Sequence, residues 1–179
     1  GGEVFRAGFS CYRHVLRGRY MIQGGLNTAG AALEWLVRLA GGDATRFDEL
    51  MVEAEQSGPG ARGAVCLPYF RGSTTPINDA AARAAFLGLH LSHGRGDMLR
   101  AVIEGLAYYL RSNLERMAQV GPAAPGHMLA IGGANRHPLV LQVKADELGS
   151  LQRTILVAAG DGSFRIEAVR ISDQVWVRL

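Results

Sequence analysis

The chain has 179 residues, a formal net charge of +3, and 48% hydrophobic against 20% charged residues. That length suits one domain with a substantial core, and the balance is that of a soluble globular protein rather than a disordered or fibrous one. No run reaches the roughly 18–20 apolar residues that a membrane span needs, the opening GGEVFRAGFSC lacks the long apolar core of a secretory signal, and the basic residues are too scattered for a nucleic-acid face despite a sequence pI of 9.2.

In chain order, EVFRAGFSCYRHVL predicts one or two short strands and RYMIQGG another, on alternation and on aromatic and β-branched content. NTAGAALEWLVRLAGG predicts a helix. Leu33, Leu36, Val37 and Ala40 recur at helical spacing, Asn27 or Thr28 is placed to cap the start, and Gly41-Gly42 ends it. A second helix is predicted over 45–56, followed by a loop at SGPGARG. AVCLPYF reads as a buried strand leading into a polar loop, RGSTTPIND, and AAFLGL as another strand.

A long helix comes next, with Leu99, Val102, Ile103, Leu106, Leu110, Leu114 and Met117 on one stripe and Asp97 as its N-cap. VGPAAPGH closes it with a loop. MLAIGGANRHPLVLQVKADELG then predicts a strand, a Gly-Gly turn and a helix over 138–148 stopped by Gly149. The last thirty residues read as two β-rich runs around GDGS, a hairpin signal, and a final strand at QVWVRL. The pattern is mixed α/β, with helices between groups of strands.

Cys11 and Cys66 sit among largely apolar neighbours and are expected to be buried, reduced thiols, which points to the cytoplasm. No CxxC occurs and no His/Cys cluster has zinc spacing, so no metal site is expected in this chain.

The strand–glycine–helix stretch is the chemical candidate. Pro138 is tolerated in a first helical turn, where amides lack internal acceptors. Those amides carry the positive end of the helix dipole. Gly132 and Gly133 have no side chains, so a ligand can approach the backbone closely. The arrangement suits a phosphate or the polar edge of a nucleotide; such a Gly-Gly is also often just a tight turn. It is neither a Walker loop, since Lys144 is the only lysine, nor the GxGxxG fingerprint.

Four stretches together carry a resemblance. AAFLGLHLSHGRGDMLRAVIEG is similar to the second signature of the FGGY family of carbohydrate kinases. GGLNTAGAALEWL resembles that family's helix opening after its sugar-side strands. LPYFRGSTTPINDAAARAAFLGL resembles its usual LPY…G…TP…D…ARGAFLGL, and IGGANRHPLVLQVKADELG resembles its adenosine-side loop and helix. The resemblance covers about residues 3–149. It implies an actin-like ATPase (ribonuclease H-like) lobe, a mixed sheet flanked by helices, from a two-lobed enzyme that uses ATP and Mg²⁺ to phosphorylate a hydroxyl of a sugar or polyol. Such transfer depends mostly on positioning and charge neutralisation.

By the same resemblance Gly132, Gly133, Ala134 and Asn135 lie against the adenosine, with His137 near the purine. His137 equally suits a helix cap. Glu104 falls in the signature and also suits hydrogen bonding to nearby backbone. The family's Asp-x-Gly-Thr loop, its second glycine-threonine loop and its carboxylate base have no counterpart here, so no catalytic residue is expected in this chain. The sugar or polyol is expected to reach it through an N-terminal lobe. Family members often dimerise, which leaves a homodimer open.

Three departures stand out: Ala84 replaces the usual Gly before AFLGL, GSTTP replaces GERTP, and residues 150–179 lack the family's Ala/Gly-rich closing helix. The chain therefore divides into a kinase-like domain over 1–149 and an atypical β-rich tail over 150–179, expected to pack on the same domain. The alternative is a non-catalytic nucleotide-binding or protein-interaction module.

Overall fold

The structure is a computed structural model, and it describes residues 2–26, 28–42, 46–121, 127–131, 133–148, 154–158, 167–170 and 176–178. It opens with a short helix, α1 (Gly2–Arg6), where the sequence predicted a strand. Val4 is buried with Ala7 and Phe9 against Ile22, Met117 and Val120, so tertiary packing, not β propensity, decides this turn. An antiparallel ribbon follows, β1 (Ser10–Arg13) with β2 (Tyr20–Gln23), in which Cys11 faces Ile22 and Tyr12 faces Met21. Cys11 is exposed on this ribbon, contrary to the expectation of two buried thiols; only Cys66 is buried.

Helix α2 (Ala29–Leu39) buries Ala32, Leu33, Leu36 and Val37, the expected stripe. Its N-cap residue is Thr28, but the hydroxyl makes no capping bond, and Oγ1 has no hydrogen-bond partner among the described residues. Helix α3 (Phe47–Ser57) contributes Leu50, Met51 and Ala54 to the same core. A 3₁₀ turn at Ala61–Gly63 occupies part of the predicted loop. Strands β3 (Val65–Leu67) and β4 (Ala85–Leu87) pair antiparallel. Strand β3 is buried only at Cys66, while Val65 and Leu67 face out; the strand expected to be buried has one inner position.

Helix α4 (Arg95–Val120) is the spine. Leu99, Val102 and Ile103 are almost fully buried against α2 and α3. Its N-cap is Gly94 rather than Asp97. Asp97 lies at the third helical position and accepts the Gly94 N–H at 2.8 Å and the Ser57 hydroxyl at 2.7 Å. Those bonds, the Ser57 one first, hold its carboxyl below the usual carboxylate range. Arg95 clamps α4 to α3 through Glu53, with contacts of 2.8 and 2.5 Å. The loop predicted over VGPAAPGH lies mostly outside the described residues.

Strand β5 (His127–Ile131) leads through a 3₁₀ turn at Gly133–Arg136 into helix α5 (Pro138–Leu148). That helix has the bounds the sequence predicted; Gly149 lies outside the described residues. Leu141, Ala145 and Leu148 of α5 pack with Ala130 of β5 and with Leu110 and Leu114 of α4. Strand β6 (Thr154–Ala158) pairs parallel with β5, β7 (Glu167–Arg170) antiparallel with β6, and β8 (Trp176–Arg178) antiparallel with β7. The tail strands thus extend the sheet that leads into the glycine turn; the turn at GDGS lies outside the described residues.

Candidate functional site

The predicted site residues cluster at the C-terminal end of β5 and the start of α5. Gly132 lies outside the described residues. Gly133 is exposed, and a β-carbon built on it would meet nothing within 4 Å. A main chain with open space over it is what a ligand needs for close approach.

Ala134 is half-buried and lines a cavity beside the turn. Asn135 is buried, and its Oδ1 accepts the Lys144 ammonium at 2.6 Å. Lys144, one and a half turns into α5, holds the 3₁₀ turn against the helix. Burial pulls its pKa below the usual lysine value. The sequence reading missed this role, although Lys144 stood out as the only lysine.

His137 caps α5. Its Nδ1 accepts the Leu139 N–H at 3.2 Å, its carbonyl accepts the Val140 N–H at 3.1 Å, and its ring meets Phe47 edge-on at 6.4 Å. An Nδ1 that accepts leaves the proton of a neutral imidazole on Nε2, the one polar ring atom still able to address a ligand. Burial, against a smaller pull from Asp48 and Glu55, lowers the His137 pKa. The unfolded chain therefore binds this proton more readily than the folded one. The His137 contribution to stability is full above about pH 6.5 and is lost as pH falls through the lower folded value. Thermal melts from pH 7.5 to 5 should show Tm falling with acid. His137→Asn, which keeps a capping oxygen and cannot titrate, should flatten that fall. Equal slopes in the two proteins would contradict this role.

Glu104 is resolved in favour of backbone bonding. It is buried, with Oε1 accepting the Gly60 N–H at 2.9 Å and the Arg100 Nε–H at 2.6 Å. The RGSTTPIND loop also turns inward. Thr74 donates to the Gly25 carbonyl, Thr75 Oγ1 accepts the Gly25 N–H at 2.8 Å, and the Tyr109 hydroxyl donates to both the Gly25 and Thr75 carbonyls. These bonds fix the Gly24–Leu26 segment over α4. Among the described residues, no group of three or more His, Cys, Asp and Glu is placed to hold a metal ion, and no helix is long and apolar enough to cross a membrane.

Residues 7–163 match the C-terminal domain of the FGGY family of carbohydrate kinases. The chain belongs to that family. The match extends past residue 149 into the first tail strand. Among relatives, the xylulose kinase of Staphylococcus xylosus is 34% identical over 75% of this chain and 28% of its own length. Glycerol kinase 1 of Thermotoga maritima is 30% identical over 72% of this chain and 26% of its own. The crystal structure of xylulose kinase from Rhodospirillum rubrum superposes with a TM-score of 0.75 at 32% identity, covering 86% of this chain and 30% of that one. The chain thus spans less than a third of the length of these relatives. Its fold is the C-terminal, actin-like ATPase lobe of these kinases, as the motifs implied.

Proposed function

We propose that this chain is the nucleotide-side lobe of an ATP-dependent sugar kinase. Its complete enzyme transfers the γ-phosphoryl group of ATP to a hydroxyl of a sugar or polyol, and the lobe alone does not turn over. Membership in the FGGY family carries the reading, together with the open backbone at Gly133 beside the start of α5. ATP supplies the phosphoryl group, and Mg²⁺ neutralises charge on its phosphates. In this chain Gly132, Gly133, Ala134 and Asn135 would bound the adenosine. Lys144 holds Asn135, and His137, whose Nδ1 caps α5, would offer Nε2–H to the purine. No residue of this chain is assigned to Mg²⁺ or to the proton of the attacking hydroxyl.

Similarity to xylulose and glycerol kinases supports a pentulose or a polyol as the acceptor. We place the protein in the cytoplasm. The test is a chimera joining the N-terminal part of the S. xylosus xylulose kinase, up to its matched region, to this chain. Assayed by ADP release against a panel of pentuloses and glycerol, the chimera should turn over in an acceptor-dependent way and the chain alone should not. Turnover by the isolated chain would refute the lobe assignment. A chimera that binds ATP but phosphorylates nothing would favour a non-catalytic nucleotide-binding module.

A further inference from the structure

The β1–β2 ribbon projects into solvent. Every residue from Ser10 to Met21 is exposed, and only the base of the ribbon is packed, where Phe9 and Ile22 meet Met117 and Val120 of α4. The turn between the strands is nonetheless held by its own bonds. The His14 N–H donates to the Arg19 carbonyl at 3.0 Å, the Arg19 N–H donates to the Leu16 carbonyl at 3.2 Å, and His14 Nδ1 accepts the Leu16 N–H at 3.0 Å. This formed turn holds two aliphatic side chains in the open: Val15 is 96% and Leu16 53% exposed.

The charge around the tip has one sign. Residues 4–33 carry Arg6, Arg13, Arg17 and Arg19 and no acidic residue, a net charge of +4 against +3 for the whole chain. The rest of the chain therefore sums to −1, and its positive excess lies in this segment. Among the described residues Arg13, Arg17 and Arg19 join no ion pair. Register sets the order of the groups along the ribbon. Val15, Leu16, Arg17 and Arg19 lie in the turn, Arg13 faces Tyr20 behind it, and Tyr12 faces Met21 one step further back. At about 3.3 Å per residue, Tyr12 lies roughly 10 Å behind Val15.

Aliphatic residues at the tip, cations around them and tyrosines behind match the order of acyl boundary, phosphates and headgroups in a lipid surface. The depth also fits, since peripheral segments sink roughly 5–10 Å into that boundary. A nucleic acid asks for cations against its phosphates and aromatic rings against its bases, and two open aliphatic side chains gain nothing there. We propose that the β1–β2 tip docks reversibly on an anionic lipid surface. Val15 and Leu16 enter the acyl boundary, Arg13, Arg17 and Arg19 lie at the lipid phosphates, and Tyr12 and Tyr20 sit among the headgroups. Neither signal holds the protein alone: the apolar wedge is short, and the charges are screened by salt. The proposal is independent of the kinase reading.

Cosedimentation with vesicles tests it, with phosphatidylcholine alone compared against phosphatidylcholine and phosphatidylglycerol in equal parts. The chain should bind the anionic vesicles at least about tenfold more tightly than the neutral ones at low salt, and raising the salt should remove most of that preference. Val15→Asp should weaken binding to the anionic vesicles at least about tenfold at an unchanged melting temperature, because its side chain stands in solvent. Arg17→Gln, also exposed, should weaken binding to the anionic vesicles and leave binding to the neutral ones as it was. Equal binding to both vesicles would overturn the proposal. So would a Val15→Asp variant that binds like the parent, since charge alone would then hold the protein. Binding to duplex DNA, RNA or polyglutamate as tight as to the anionic vesicles would reassign the tip to a polyanion and overturn it as well. The xylulose kinase chimera should bind the vesicles as the chain does; loss of binding there would mean that the tip faces the rest of the kinase and would overturn the proposal. Vesicle binding by a chain or chimera that fails to bind ATP would sustain it and count against the kinase reading alone.

Discussion

Replacing Glu104 by alanine should cost about 3–5 kcal/mol, the range for breaking a buried pair from one side. The carboxylate accepts both the Arg100 guanidinium and the Gly60 N–H, and both charged residues are about 5–6% exposed. Removal leaves a buried cation without a counterion and a backbone donor without an acceptor. Domains of this size are stable by only about 5–15 kcal/mol, so the loss takes a large fraction of the total. Glu104→Gln keeps an oxygen for Gly60 but not the charge, and should fall between wild type and alanine. Urea unfolding of the three proteins checks the order. Alanine within about 1 kcal/mol of wild type would show that water or rearrangement satisfies Arg100 and Gly60.

Gly105→Ala is the second large effect, and its sign is a contest. Alanine in mid-helix should gain about 1 kcal/mol over glycine in propensity. Against that, a β-carbon at 105 would run into the Cys66 carbonyl of β3 and stand 3.2 Å from its carbon. The obstacle is backbone and cannot swing aside without disturbing the β3–β4 ladder and the buried Cys66 thiol, whose pKa burial already lifts to about 12. Overpacking typically costs about 1–3 kcal/mol, and contact with fixed backbone belongs at the upper end, so the net should be a loss of about 2 kcal/mol. Gly133→Ala is the matched control: its β-carbon meets nothing within 4 Å, and its stability should not change. A stabilised Gly105→Ala would mean that β3 yields.

The sequence announced those features whose causes lie within one turn or strand. Helix α5 ran over its predicted span because Pro138 marks its start locally. The α4 stripe was visible because an apolar face repeats every three to four residues whatever covers it. Features decided by distant partners were hidden. EVFR became a helix because Val4 packs near the far end of α4. Nothing near Gly25 reveals that Tyr109, 84 residues on, will hold its carbonyl. Asp97 and Thr28 show the limit of capping rules: both types suit an N-cap, yet one sits three residues into its helix and the other makes no capping bond. At the candidate site, the glycine turn and the family were legible. The Lys144–Asn135 bond that braces the turn was not, because helix phase alone does not say which polar residue a lysine meets across a loop.

The central claim is that bare main chain after β5 grips the adenosine of ATP. Isothermal calorimetry with ATP on this chain and on Gly133→Asp tests it most directly, because a β-carbon at Gly133 meets nothing within 4 Å and melting temperatures of the two proteins check the fold. Measurable binding by the parent chain, weakened at least about tenfold in the variant at an unchanged melting temperature, is the expected result. Equal heats from the two proteins, or no heat from the parent at millimolar ATP, would contradict it.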